Sequence, residues 1–93
     1  MVSQKDLDKE NLTDLIRKGI ELLCEKNISE VVVLSSYKIH SVLKENYGVD
    51  IKVDRIGRVL SSIAKRNEGK LKRLGTNIPK YKLHIKTLTN LKF

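Results

Sequence analysis

Tryptophan is absent from this 93-residue chain, and phenylalanine, proline and cysteine occur once each. A core must therefore be assembled from Ile, Leu and Val. The single Cys24 cannot bridge the chain to itself, which excludes a disulfide scaffold and fits a reducing, intracellular setting. No apolar run approaches the ~18 residues that a membrane-spanning helix needs, and the opening MVSQKDLDKE is too acidic and polar for a signal or transit peptide. A cytoplasmic protein with no membrane partner is expected. Catalytic signatures are also missing: there is no GxxxxGKS/T, no HExxH, no Gly-x-Ser-x-Gly and no cluster of Cys or His. His40 and His84 lie far apart and read as surface residues, and Asp50, Asp54 and Glu68 are the only carboxylates in the second half. Neither an enzyme, a metal centre nor a cofactor is expected.

Charge is plentiful and unevenly placed. Residues 1–47 hold seven Lys and Arg against eight Asp and Glu, net −1, while residues 48–93 hold twelve against three, net +9, within a total of +8. Segregation of this kind creates a potential that draws a polyanion to one side of a fold. A solubility surface would instead mix the signs along its length.

Periodicity supplies the elements. Leu12, Leu15, Ile16, Ile20 and Leu23 recur at helical spacing, with Gly19 on the same stripe where a close helix contact needs no side chain, so a first helix should end near Asn27. Ser3 or Asn11 would begin it. Cys24 borders the stripe as a small core residue. The β-branched run in ISEVVVL, residues 28–34, predicts a short strand. Ser35 or Ser36 can then cap a second helix, residues 37–47, whose stripe is Ile39, Val42, Leu43 and Tyr47 and whose stop is Gly48. After a six-residue connection, with Asp50 or Asp54 serving the helix start, VDRIGRVLSSIAKR sets Ile56, Val59, Leu60 and Ile63 on one face of a third helix. Arg55, Arg58, Ser61, Ser62, Lys65 and Arg66 occupy its other side. Gly57 interrupts that helix, for which close approach of the second helix is the expected reason. Finally, KLKRLGTNIPKYKLHIK reads as a hairpin: Tyr81, Leu83 and Ile85 alternate with Lys80, Lys82, His84 and Lys86, whereas Leu71 and Leu74 cannot share a face without a bulge near Arg73. Pro79 falls in its turn.

The order helix, strand, helix, helix, strand, strand, together with VDRIGRVLSSIAKR and KLKRLGTNIPKYKL, resembles the winged helix-turn-helix superfamily of DNA-binding domains, an α+β fold that is mainly α. The likeness runs from about Leu12 to Lys86. It divides the chain into a polar arm at residues 1–10, a domain at residues 11–86 and a tail at residues 87–93. The resemblance implies that helix 3 enters the major groove while the basic hairpin, the wing, lies on the backbone or in the minor groove. By position, Arg55 and Arg58 match exposed recognition-helix sites, and Lys72, Arg73, Lys80 and Lys82 match wing sites. Only residues 87–93 follow the wing, so no long C-terminal dimerisation helix is present in this sequence.

Guanidinium groups pair with guanine O6 and N7, which assigns Arg55 and Arg58 to bases. Lys52, Lys65, Arg66, Lys70, Lys72, Arg73, Lys80 and Lys82 would hold phosphates, and Ser61 and Ser62 would add neutral bonds to the backbone. The expected function is a double-stranded DNA-binding regulator of transcription, nucleoid-associated, and homodimeric through helix 1 and the apolar termini Leu7, Leu88, Leu91 and Phe93. The alternative is a winged-helix module that docks an acidic protein in a replication, repair or transcription complex.

Overall fold

A computed structural model describes residues 9–74 and 80–93 of the chain, with main chain alone for residues 9 and 10. Helix α1 spans Lys9–Lys26, strand β1 Val31–Ser35, helix α2 Ser36–Tyr47, helix α3 Val53–Arg66, strand β2 Leu71–Leu74 and strand β3 Lys80–His84, before a 3-10 turn at Ile85–Asn90. The fold is α+β and mainly helical, with one three-stranded antiparallel sheet.

The apolar stripes meet where their spacing directs them. From α1 come Leu12, Ile16, Ile20 and Cys24, from α2 Ile39 and Leu43, and from α3 Ile56, Leu60 and Ile63, all buried in one cluster with the inner face of the sheet. Gly19 lies at the α1–α2 contact, where an added Cβ would stand 3.3 Å from Ile39 Cγ2 and 3.6 Å from Leu43. Gly57 differs. A Cβ there would meet nothing nearer than Ser36 at 3.9 Å, so contact with α2 does not require glycine at that position. The two glycines therefore predict opposite signs. Gly57→Ala should stabilise the fold by about 0.5–1 kcal/mol through helix propensity. Gly19→Ala should destabilise it, because the Ile39 methyl that must yield is itself fully buried with no room to move, and overpacking of about 1–3 kcal/mol outweighs the propensity gain. Urea midpoints of the two variants against the parent chain check both.

The junctions are made by local chemistry. Ser35 is the cap of α2, its hydroxyl accepting from the Lys38 N–H at 3.2 Å. At the other end Gly48 adopts φ +65°, and the Gly48 and Val49 N–H groups donate to Lys44 O and Leu43 O at 3.1 and 3.3 Å. That turn ends the stripe one residue early: Tyr47 is exposed rather than buried. Val49 and Ile51 fill the space beneath α2 and α3. His40, expected as a plain surface residue, instead pins this connection. Its Nδ1 donates to Ile51 O at 2.7 Å, and its Nε2 stands 3.8 Å from Asp50 Oδ1. Lys52 is the cap residue of α3 and makes no side-chain cap bond, so the carboxylate that serves this helix start is Asp54, through its charge in the first turn.

In the sheet, ordered β1-β3-β2, Val32 pairs with Leu83 and Leu34 with Tyr81, while Leu71, Lys72, Arg73 and Leu74 face Leu83, Lys82, Tyr81 and Lys80 in turn. No residue is skipped, so the bulge expected near Arg73 is absent. Leu71 is buried and Leu74 stands on the outer face, half-exposed, which removes the conflict that a bulge would resolve. Strand β1 begins at Val31, and Ile28, read as part of it, is fully exposed. The free edge of β1 is closed by its neighbours: Asn27 Nδ2 donates to Val31 O at 2.9 Å and Lys38 Nζ to Val33 O at 3.2 Å. The hairpin turn, Pro79 included, lies outside the described residues.

Residues 87–93 do not trail as a tail. Leu91 is buried, and Leu88 and Phe93 pack against the core. Asn67, 3% exposed, clamps this segment to the end of α3: its Nδ2 donates to Ile63 O and Lys92 O, and its Oδ1 accepts from the Lys92 N–H, each at 2.7 Å. Leu88, Leu91 and Phe93, assigned above to a subunit contact, thus complete the core of their own chain. Leu7 lies outside the described residues.

Candidate nucleic-acid interface

Burial of Ile56, Leu60 and Ile63 turns the opposite side of α3 outward. Asp54, Arg58 and Lys65 are exposed there, one turn or two apart, and Ser61 and Ser62 are half-buried at its margins. Arg55 is half-buried on the flank away from the sheet. Lys52 is exposed just before the helix. A cleft of about 610 Å³ runs along the other flank, lined by Gly57, Arg58 and Ser61 of α3, Tyr37 at the start of α2, and Arg73 and Tyr81 of the hairpin.

Strand alternation separates the remaining cations. Arg73 pairs with Tyr81 and shares the inner side of the sheet, next to α3. Lys72 and Lys82 pair with each other, and Lys80 with Leu74, on the outer side. Arg66 and Lys70 turn toward the C-terminal segment, Arg66 Nη1 donating to Phe93 O at 2.8 Å and Lys70 Nζ to Asn90 O at 2.9 Å. The twelve residues singled out in the sequence therefore do not form one surface. Arg58, Ser61 and Arg73 meet in the cleft, with Ser62 and Lys65 beside them on α3. Lys72, Lys80 and Lys82 form a second basic patch behind the sheet.

Tyr37, readable as an exposed aromatic but not among the twelve site residues, is 55% exposed and lines the cleft. A signal existed: Tyr37 lies two residues before Ile39, about 200° around the helix from the buried stripe, so it faces outward.

Among the described residues no three His, Cys, Asp or Glu side chains gather closely enough to hold a metal ion, and no helix is long and apolar enough to cross a membrane. Burial pushes the Cys24 thiol above its ordinary range, with Glu21 adding to the effect. An acid whose folded-state pKa is raised keeps its proton while the unfolded chain loses it, so stability should fall as pH climbs from ~8.5, the ordinary thiol value, toward the folded one. Cys24→Ser should flatten that decline in urea unfolding, and the folded thiol should react far more slowly with a disulfide reagent at pH 8 than the unfolded one.

Comparison of the chain with protein-family models, curated protein sequences and solved structures finds no match.

Proposed function

We propose that this domain binds double-stranded DNA as a winged helix-turn-helix, with α3 in the major groove and the β2–β3 hairpin alongside it, and that it acts in transcription regulation. The observation that carries the reading is the outward side of α3: a helix held from behind by Ile56, Leu60 and Ile63 presents Arg58 and Lys65 to solvent, with Arg73 of the hairpin across the cleft. A helix seated in this way has the width that a major groove admits. The element order and the short antiparallel hairpin after α3 support the same reading.

The placements narrow the contact set. Arg58 is the base-reading residue, and Lys52, Lys65 and Arg73 face phosphates, with Ser62 adding a neutral bond. Arg55, on the flank, serves as a second contact. Arg66 and Lys70 bind the chain's own C-terminal segment, while Lys72, Lys80 and Lys82 add long-range attraction from behind the sheet.

Three phosphate-facing cations predict a log-log salt dependence with a slope of about −2 to −3, at ~0.9 per phosphate. Fluorescence anisotropy of a random-sequence duplex across a salt series reads it directly. A salt-independent titration, or none at all at low salt, would remove the proposal.

A further inference from the structure

The cleft beside α3 is furnished for more than a strip of duplex backbone. Its volume of about 610 Å³ falls in the range of ligand pockets, about 300–1,000 Å³. Two guanidinium groups line it from opposite walls, Arg58 on α3 and Arg73 on β2. Among the described residues neither makes an ion pair or hydrogen bond with the protein. Ser36 and Tyr81, 8% and 5% exposed, also line it, and their hydroxyls make no side-chain hydrogen bond within the protein while keeping contact with solvent, so both are free to meet a bound group.

The remaining lining specifies its chemistry. Tyr37 offers a half-exposed aromatic face at the mouth. Gly57 leaves the floor between Ser36 and Arg58 open, where an alanine would fit without touching anything closer than 3.9 Å. A glycine that costs the helix about 1 kcal/mol and that packing does not require fits a cavity kept free for a bound group. The Ser36 and Tyr37 N–H groups stand in the first turn of α2, where main-chain donors have no intrahelical acceptor and favour an anion. Asp54, at the α3 end of the cleft, is placed for a sugar hydroxyl or an exocyclic amine.

We infer that the cleft binds a single nucleotide unit, its phosphate between Arg58 and Arg73 and its base stacked on Tyr37. Stacking on tyrosine tolerates any base, and paired guanidinium groups suit a phosphate with two or more free oxygens. The unit comes from one of two sources, a free mononucleotide or the unpaired end of a strand. Arg58 and Arg73 belong to both surfaces, so a nucleotide in the cleft displaces duplex, a consequence that rests on the duplex reading.

Calorimetric titration of the full chain with each nucleoside 5′-monophosphate, with adenosine and with inorganic phosphate tests the inference. A monophosphate should bind at least tenfold more tightly than either fragment. Arg73→Ala and Tyr37→Ala should each weaken it at least tenfold, and Gly57→Ala should weaken it while stabilising the fold. Titrating a duplex with a one-nucleotide 5′ overhang beside its blunt counterpart separates the sources. If no monophosphate binds, preference for the overhang that Arg73→Ala abolishes assigns the cleft to strand ends. Absence of both effects, or binding indifferent to Arg73→Ala and Tyr37→Ala, overturns the inference. Lys65 does not line the cleft, so loss of blunt-duplex affinity in Lys65→Ala would persist in that event and keep the two ideas separable.

Discussion

Leu43→Ala should lower the stability of the domain by about 3 kcal/mol, within the range of about 2–5 for truncating a buried leucine. Leu43 is fully buried in α2 and stands against Gly19 of α1, in the core cluster that also receives the stripe of α3. The cavity cannot collapse readily. Both neighbouring helices are already in contact, and the α1–α2 approach is set by a glycine with no side chain to fill the void. For a chain of this size the total stability is on the order of 5–14 kcal/mol, at about 0.05–0.15 per residue. One truncation therefore removes a large fraction of it. The melting temperature should drop by about 12–24 °C, at roughly 4–8 °C per kcal/mol in a small domain. A drop below a few degrees would show that the three helices are not packed through this residue.

Asn67→Ala should have the second largest effect, about 2–4 kcal/mol, through hydrogen bonds rather than volume. Its amide makes three bonds at 2.7 Å, one back to Ile63 O of α3 and two to the main chain of Lys92. Only a carboxamide presents a donor and an acceptor side by side as that pair of bonds to Lys92 requires, and glutamine's is one methylene further out. Release of the C-terminal segment would also uncover Leu91 and free Arg66 and Lys70 from Phe93 O and Asn90 O. Asn67→Asp keeps the shape and the acceptor but loses the donor, so it should fall between parent and alanine. Hydrogen exchange should show residues 85–93 losing protection in the alanine variant while α1 keeps it. Uniform loss would mean that the segment is part of one cooperative unit with the helices.

The helices were open to reading because their evidence is periodic. Ile56, Leu60 and Ile63 recur at one-face spacing, and α3 spans Val53–Arg66 as that pattern requires. Ser35 and Gly48 mark the ends of α2 by chemistry that needs no tertiary partner. What escaped was long-range. Asn67 meets Lys92 across 25 residues of sequence and His40 meets Ile51 across 11, and no local pattern announces either bond. The hairpin teaches something else. Leu71 and Leu74 suggest a bulge only if both must be buried, whereas an edge strand leaves Leu74 outside.

The candidate site was legible in part, for a related reason. Adding the charges of the second half treats Lys72 and Arg73 as members of one patch. Neighbours along a strand point to opposite faces, so a pair of adjacent cations in a strand is always divided. Arg73 goes to the cleft with α3, and Lys72 goes behind the sheet with Lys82. Alternation, which the sequence displays, makes that division on its own. The ties of Arg66 and Lys70 to the C-terminal segment could not, since they depend on where residues 90–93 come to rest.

The central claim is that α3 is the surface that meets a duplex, and comparing Arg58→Ala with the double variant Lys72→Ala/Lys82→Ala tests it most directly. Both remove exposed positive charge, one residue in front and two behind. Measured by anisotropy on duplexes selected from a random pool, Arg58→Ala should weaken binding by about 1–3 kcal/mol and relax the selected sequence, while the double variant should weaken it less and leave the sequence unchanged. If the Lys72 and Lys82 variant loses more affinity than Arg58→Ala, or if Arg58→Ala binds and selects as the parent does, duplex DNA does not meet this protein through α3.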